Sequence, residues 1–187
     1  MKVLSVFVVA AAVVVTGCSK PSAEEYYAKA EAAQKSARQA ADSLAGKASA
    51  KTLFAPVVEQ YSSLITEYPS SLLAEKALFQ RAAIRTNDTK EHELAISDYK
   101  VYAERYPDGE KTPLAMFLIG YIYNNELHNL DSAAAAYKRF LAKYPASEMA
   151  MSAQFELNTL GKSPEELVSG QAAGAKDAKA QVATKKK

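Results

Sequence analysis

A single cysteine, Cys18, occurs in the 187 residues of this chain. That excludes an intrachain disulfide framework and any metal site built from several thiolates. There are two histidines, His92 and His128, and they do not keep the repeat spacing described below. Each falls near a connection between predicted helices, and both are read as surface residues. No H-E-x-x-H, C-x-x-C or G-x-x-x-x-G-K-[ST] pattern occurs, and no G-x-S-x-G. No metal, cofactor or catalytic residue is therefore expected, and the chain is read as a non-enzyme. Seven glycines and seven prolines are few breakers; with abundant alanine they point to an all-α fold. Neither sign of charge dominates: 23 basic and 21 acidic residues give a formal net charge of +2. A nucleic-acid surface would need a larger and more clustered positive field. The acidic pairs Glu24-Glu25 and Glu165-Glu166 each open a predicted helix, where negative charge favours the helix dipole.

One long apolar run is present, residues 3–15, interrupted by Ser5 and preceded by Lys2. It is too short for a typical membrane helix of about 20 residues and suits the core of a secretory signal. Val15-Thr16-Gly17-Cys18 follows it. These residues resemble a bacterial lipobox: an aliphatic residue, small residues, then cysteine. The resemblance implies a signal peptide over 1–17, diacylglyceryl and acyl chains such as palmitate on Cys18, and a lipid-anchored linker over 18–21. Several acyl chains anchor stably, because each buried CH₂ contributes about 0.8 kcal/mol. Ser19, in place of an aspartate, implies the outer membrane by the same resemblance. The alternative is a plain signal peptide with an incidental cysteine.

The strongest pattern is internal. Tyr-Pro recurs at Tyr68-Pro69, Tyr106-Pro107 and Tyr144-Pro145, a constant step of 38 residues. Tyr61, Tyr99 and Tyr137 keep that step, as do Ala77, Ala115 and Ala153, and Phe79, Phe117 and Phe155. A fixed period of this size marks a repeat architecture.

The middle copy reads Met116-x₂-Ile119-Gly120-x₂-Tyr123, then Ala133-x₃-Tyr137, then Pro145. It resembles the tetratricopeptide pattern W-x₂-L-G-x₂-Y…A-x₃-F…P. The preceding copy keeps Ala95-x₃-Tyr99 and Pro107, with Ala82 at the place of Gly120. The third copy keeps Leu157, has Asn158 at the glycine place and stops after one helix. The resemblance implies an all-α, tetratricopeptide-type helical-hairpin solenoid of about seven to eight helices. Small residues let paired helices approach, and proline ends each second helix. Relative to a 34-residue repeat, one extra residue falls inside the helix pair and three between pairs.

Ser22 to Glu25 reads as a capping box. It opens a helix near 22–45 whose stripe of Tyr26, Ala30, Ala33, Ala37, Ala40 and Leu44 is mostly alanine. So little apolar area leaves open whether this helix docks or spaces the domain from a membrane. Gly46 is its expected stop. Further helices are predicted near 52–68, 71–86, 91–106, 111–126, 131–144 and 147–160. Gly161 is a C-cap, and Ser163-Pro164-Glu165-Glu166 opens a short eighth helix to Gly170. The repeat domain thus spans 22–170. Residues 171–187, rich in Ala and Lys, are read as a disordered tail. That tail is either a solvated end or an electrostatic tether.

The resemblance places a partner-binding groove on the first helix of each pair. Its positions here are Leu114, Phe117, Tyr121, Asn124 and Asn125, and in the copy before, Lys76, Phe79, Ala83, Thr86 and Asn87. Core packing competes as a reading for Phe79 and Phe117, and an undistinguished solvent face for Tyr121, Asn124 and Asn125. Period, Tyr-Pro ends and lipobox together resemble the tetratricopeptide lipoproteins of the bacterial envelope, including the BamD-like outer-membrane assembly group. The implied role is a periplasm-facing scaffold, anchored in the outer membrane through Cys18. Its partners would be envelope proteins, including outer-membrane assembly components, and no nucleic acid. The alternatives are a self-associating structural lipoprotein, forming a homodimer, and a groove that binds a small ligand.

Overall fold

A computed structural model describes residues 20–44, 49–162 and 166. The expected signal peptide, Cys18, Gly46, the tail and all of the eighth helix but Glu166 lie outside them. Among the described residues there are seven α-helices and no strand: α1 Ala23–Leu44, α2 Ala50–Glu67, α3 Leu72–Asn87, α4 His92–Arg105, α5 Thr112–Tyr121, α6 Leu130–Lys143 and α7 Ala150–Thr159. A π-helical turn, Ile122–Glu126, continues α5. The helices pack as successive antiparallel pairs, α1 with α2, α3 with α4 and α5 with α6, and α7 stacks on α6. This is the all-α helical-hairpin repeat that the sequence pattern predicts.

The repeat landmarks do what their chemistry demands. A Cβ on Gly120 would meet the Tyr137 ring at 2.7 Å. That ring is fully buried, so glycine sets how closely α5 and α6 approach. Ala95 and Ala133 are fully buried on the partner helices. Each Tyr-Pro ends a helix in one way. Tyr68, Tyr106 and Tyr144 leave helical geometry at φ −134°, −125° and −130°, because the following proline disfavours helical backbone. Their carbonyls then accept from Ser71, Gly109 and Ser147 N–H at 3.0, 3.0 and 3.1 Å. The same turn therefore launches α3, α5 and α7. Pro107 and Pro145 sit exposed at its apex.

The extra residue inside each pair is absorbed at the end of the first helix. Leu127 N–H reaches Ile122 O and Asn129 N–H reaches Tyr123 O, at 3.0 and 2.8 Å. One repeat earlier, Thr89 reaches Ile84 and Glu91 reaches Arg85 at 3.0 and 2.8 Å. These bonds skip one residue more than an α-helix allows. Lys90 and His128 then turn the chain with φ of +57° and +50°. The segment 111–126, expected as one α-helix, is thus α-helical only to Tyr121.

Helix α1 docks. Its capping box forms, with Ser22 N–H donating to Glu25 and Glu25 N–H to Ser22 Oγ, at 2.8 and 3.2 Å. Ala23, Ala30 and Ala37 are buried at seven-residue spacing against Phe54, Val57, Tyr61 and Leu64 of α2. Alanines on one helix admit large side chains from the other, so the area that counts belongs to α2. Burying each such side chain contributes about 1.5–3 kcal/mol. Tyr68 donates to Pro21 O at 2.8 Å, and Lys20 pairs with Glu67, which fixes the helix entry.

His92 is not the surface residue expected. Its side chain is 14% exposed, with Nε2 at 3.4 Å from Glu126. The widened turn at the end of α5 brings Glu126 over the start of α4. His128 is exposed.

Two outcomes follow from this packing. Gly120→Val should lower the urea-unfolding free energy by about 1–3 kcal/mol through overpacking. In a Tyr137→Leu background the same change should cost less, because the opposing ring is gone. The second outcome concerns tyrosine ionisation. Burial pushes the Tyr99 phenol up to about 12 and those of Tyr61 and Tyr137 higher. The neutral phenol is the form that the fold favours, so this stability is present below the ordinary value of 10.0. It is lost as pH rises through the folded-state values. Ultraviolet absorbance and circular dichroism, followed together, should show these tyrosines ionising as the helices melt.

Candidate functional site

The first helices of the pairs, α1, α3, α5 and α7, carry the candidate surface. Near their starts two clefts occupy equivalent places one repeat apart. The first, about 380 Å³, lies among Tyr27, Leu72, Lys76, Phe79, Gly109 and Lys111. The second, about 640 Å³, includes Glu110, Pro113, Ser147, Glu148 and Met149. Leu72 matches Glu110 in the repeat, Gly109 matches Ser147, and Lys111 matches Met149. The first cleft thus pairs apolar and cationic groups: Leu72 is 78% exposed and Lys111 Nζ lies 4.8 Å over the Phe79 ring. A Cβ on Gly109 would come within 2.9 Å of Glu75 Oε1. Glycine therefore leaves room for Glu75, which accepts from Tyr102 Oη at 2.7 Å. Burial, and then that carboxylate, push the Tyr102 phenol upward.

The ten groove positions separate into walls and face. Lys76 and Phe79 line the first cleft. Phe79 is also core, wedged edge-on between Tyr99 and Tyr102 at centroid distances of 5.5 and 5.4 Å. Phe117 repeats that role, half-buried, against Tyr137 and Phe140 at 5.7 and 5.9 Å. Leu114 and Ala83 are half-buried, while Asn87 and Asn125 are exposed. Thr86 is buried, and its hydroxyl donates to Ala82 O at 2.9 Å. It supports the wall from behind and presents nothing to a partner. Tyr121 is 39% exposed. Asn125 donates to the Tyr121 carbonyl at 3.1 Å, and Asn124 donates to Glu156 of α7 at 3.0 Å. Both asparagine amides thus have intramolecular acceptors.

Sequence reasoning missed Tyr27, Leu72, Lys111 and Glu156. None of the four is a repeat landmark, so no period marks it. Exposed Leu72 beside a Tyr-Pro turn was the one available signal.

Behind α3 lies an ion cluster that the sequence did not announce. Asp98 of α4 accepts from Arg81 Nε and Nη2 at 2.9 and 2.6 Å and from Arg85 Nη1 at 2.6 Å. Arg81 Nη1 also reaches Ser62 of α2 at 2.8 Å. Three helices meet on one carboxylate that is 4% exposed.

No group of His, Cys, Asp and Glu among the described residues could hold a metal ion. Nor is any described helix long and apolar enough to cross a membrane. Residues 76–109 and 114–147 match the tetratricopeptide repeat family. No curated protein matches the chain in sequence. The chain therefore carries two tetratricopeptide repeats, a fold that generally mediates protein–protein interaction.

Asp98→Ala should cost about 3–5 kcal/mol in chemical denaturation, because it leaves two buried guanidinium groups without their anion. Replacing Arg81 and Arg85 by methionine in the same chain should recover much of that loss.

Proposed function

We propose that this chain is a lipid-anchored adaptor of the bacterial envelope. It holds a segment of a partner protein on the face formed by α3, α5 and α7. The observation that carries this reading is the repetition of the cleft at equivalent positions of consecutive tetratricopeptide repeats. A ladder of like clefts suits a ligand that is itself a chain, with successive side chains entering successive clefts. The lipobox supports anchoring at Cys18, and Ser19 supports the outer membrane and its periplasmic side. Proteins of outer-membrane assembly are the partner class that the envelope resemblance favours.

A second reading has its own observation. On α7, Met151 is 85% and Phe155 55% exposed. Phe155 stands where Phe79 and Phe117 are covered by a second helix. Exposed apolar groups of this kind favour contact with another chain, and a second copy is one candidate.

Photoreactive residues at Lys76 and Asn125, with one at Lys138 as a control, test the adaptor reading in intact cells. Crosslinks from the first two to the same envelope protein, and none from Lys138, are expected. Adducts only between copies of this chain would favour the homodimer. Adducts with no site preference would remove the groove. Cys18→Ser should abolish metabolic labelling by radioactive palmitate and release the chain from the membrane fraction; undiminished labelling would sink the anchor.

A further inference from the structure

On the first-helix face of the last described pair, packing leaves three groups unaccounted for. Glu156 is half-buried, and no cation pairs with it among the described residues. Its carboxylate is met by the neutral amide of Asn124, at 3.0 Å. Beneath them, the Tyr137 hydroxyl is fully buried and has no hydrogen-bond partner. Its counterparts are partnered: Tyr61 donates to Gln34 at 3.2 Å, and Tyr99 is hydrogen-bonded with Thr86. Asn124 follows Thr86 by one repeat. It is therefore the residue placed to satisfy Tyr137, and Glu156 has drawn it away. Tyr121 stands one turn before Asn124 with its ring partly in solvent. Tyr121 and Glu156 also both raise the ionisation of the Tyr137 phenol, which places their charges close by.

We propose that this cluster is a binding site for a basic side chain, arginine or lysine, of the partner protein. The inference rests on the adaptor reading above and names what the face recognises. The cation supplies the charge that Glu156 lacks and lies against the ring of Tyr121, an arrangement that attracts guanidinium and ammonium groups. Once Glu156 takes the cation, Asn124 is released. Its amide oxygen then accepts from Tyr137, as the equivalent position does for Tyr99. The buried hydroxyl, costly while unpaired, gains its partner on binding. No proton transfer or covalent step is involved.

The test uses the full-length chain in detergent micelles, labelled with ¹⁵N and with ¹³C in its tyrosine rings. N-acetylarginine methylamide is the probe, and neutral N-acetylnorleucine methylamide is the control. Arginine should shift the Asn124 side-chain amide and Tyr121 ring signals saturably, and norleucine should not. Glu156→Gln should weaken the effect at least tenfold, and Tyr121→Leu several-fold, both with unchanged circular dichroism. No saturable shift, or the same shift in Glu156→Gln, overturns the site. Photocrosslinking from position 76 then separates the two readings. Adducts undiminished in Glu156→Lys overturn the basic-side-chain site and leave the adaptor standing. No adducts in any version overturn both.

Discussion

The distance between paired helices rests on one contact, a buried tyrosine ring laid against a residue with almost no side chain. In the last complete pair it is Tyr137 on Gly120, and one repeat earlier Ala82 stands at the glycine place and Tyr99 at the ring place. Everything outward follows from that spacing. The ring displaces the first helix only as far as its own thickness. Phe79 and Phe117 can then wedge edge-on against the second helix, and the clefts open at the helix starts. A bulkier residue at 120 would move a wall of the binding face and the core at once.

The periodic part of this architecture is legible in sequence because it is built from local rules. Proline after tyrosine ends a helix wherever it occurs, and Tyr68, Tyr106 and Tyr144 do so with nearly the same geometry. Small residues at 82, 95, 120 and 133 announce close approach. Other features depend on a partner that the local pattern does not show. The alanine stripe of α1 looks too weak to dock when counted alone, yet it docks because α2 supplies the bulk. The widened turn after Tyr121 leaves no compositional mark in Ile122–Glu126, so His92 gave no sign that it would be covered. Glu156 and Asn124 meet across helices whose residues keep no common period. The candidate site is accordingly the least readable part of the chain.

The structure also divides labour between the two helices of a pair. The second helices, α2, α4 and α6, carry the large buried rings and the Tyr-Pro ends. The first helices carry the face, and they keep few large fully buried side chains of their own. Variation on a first helix can change what is recognised without emptying the core. Asn124, Thr86 and Gln34 illustrate this, since each holds a different polar group near a tyrosine hydroxyl.

A chain made of near-copies faces the problem that its parts are interchangeable. Helix α3 presents an apolar stripe that α6 could cover almost as well as α4, and nothing in the spacing of the rings forbids the exchange. The ion cluster does. Arg81 and Arg85 find a carboxylate at Asp98 of α4, but the corresponding place on α6 is Ala136. A mispaired hairpin would strand two guanidinium groups against a methyl. The penalty for losing one member of a buried ion pair is about 3–5 kcal/mol, comparable to much of the stability of a small domain. These three charges act as a serial number, readable only by the helix that belongs beside α3.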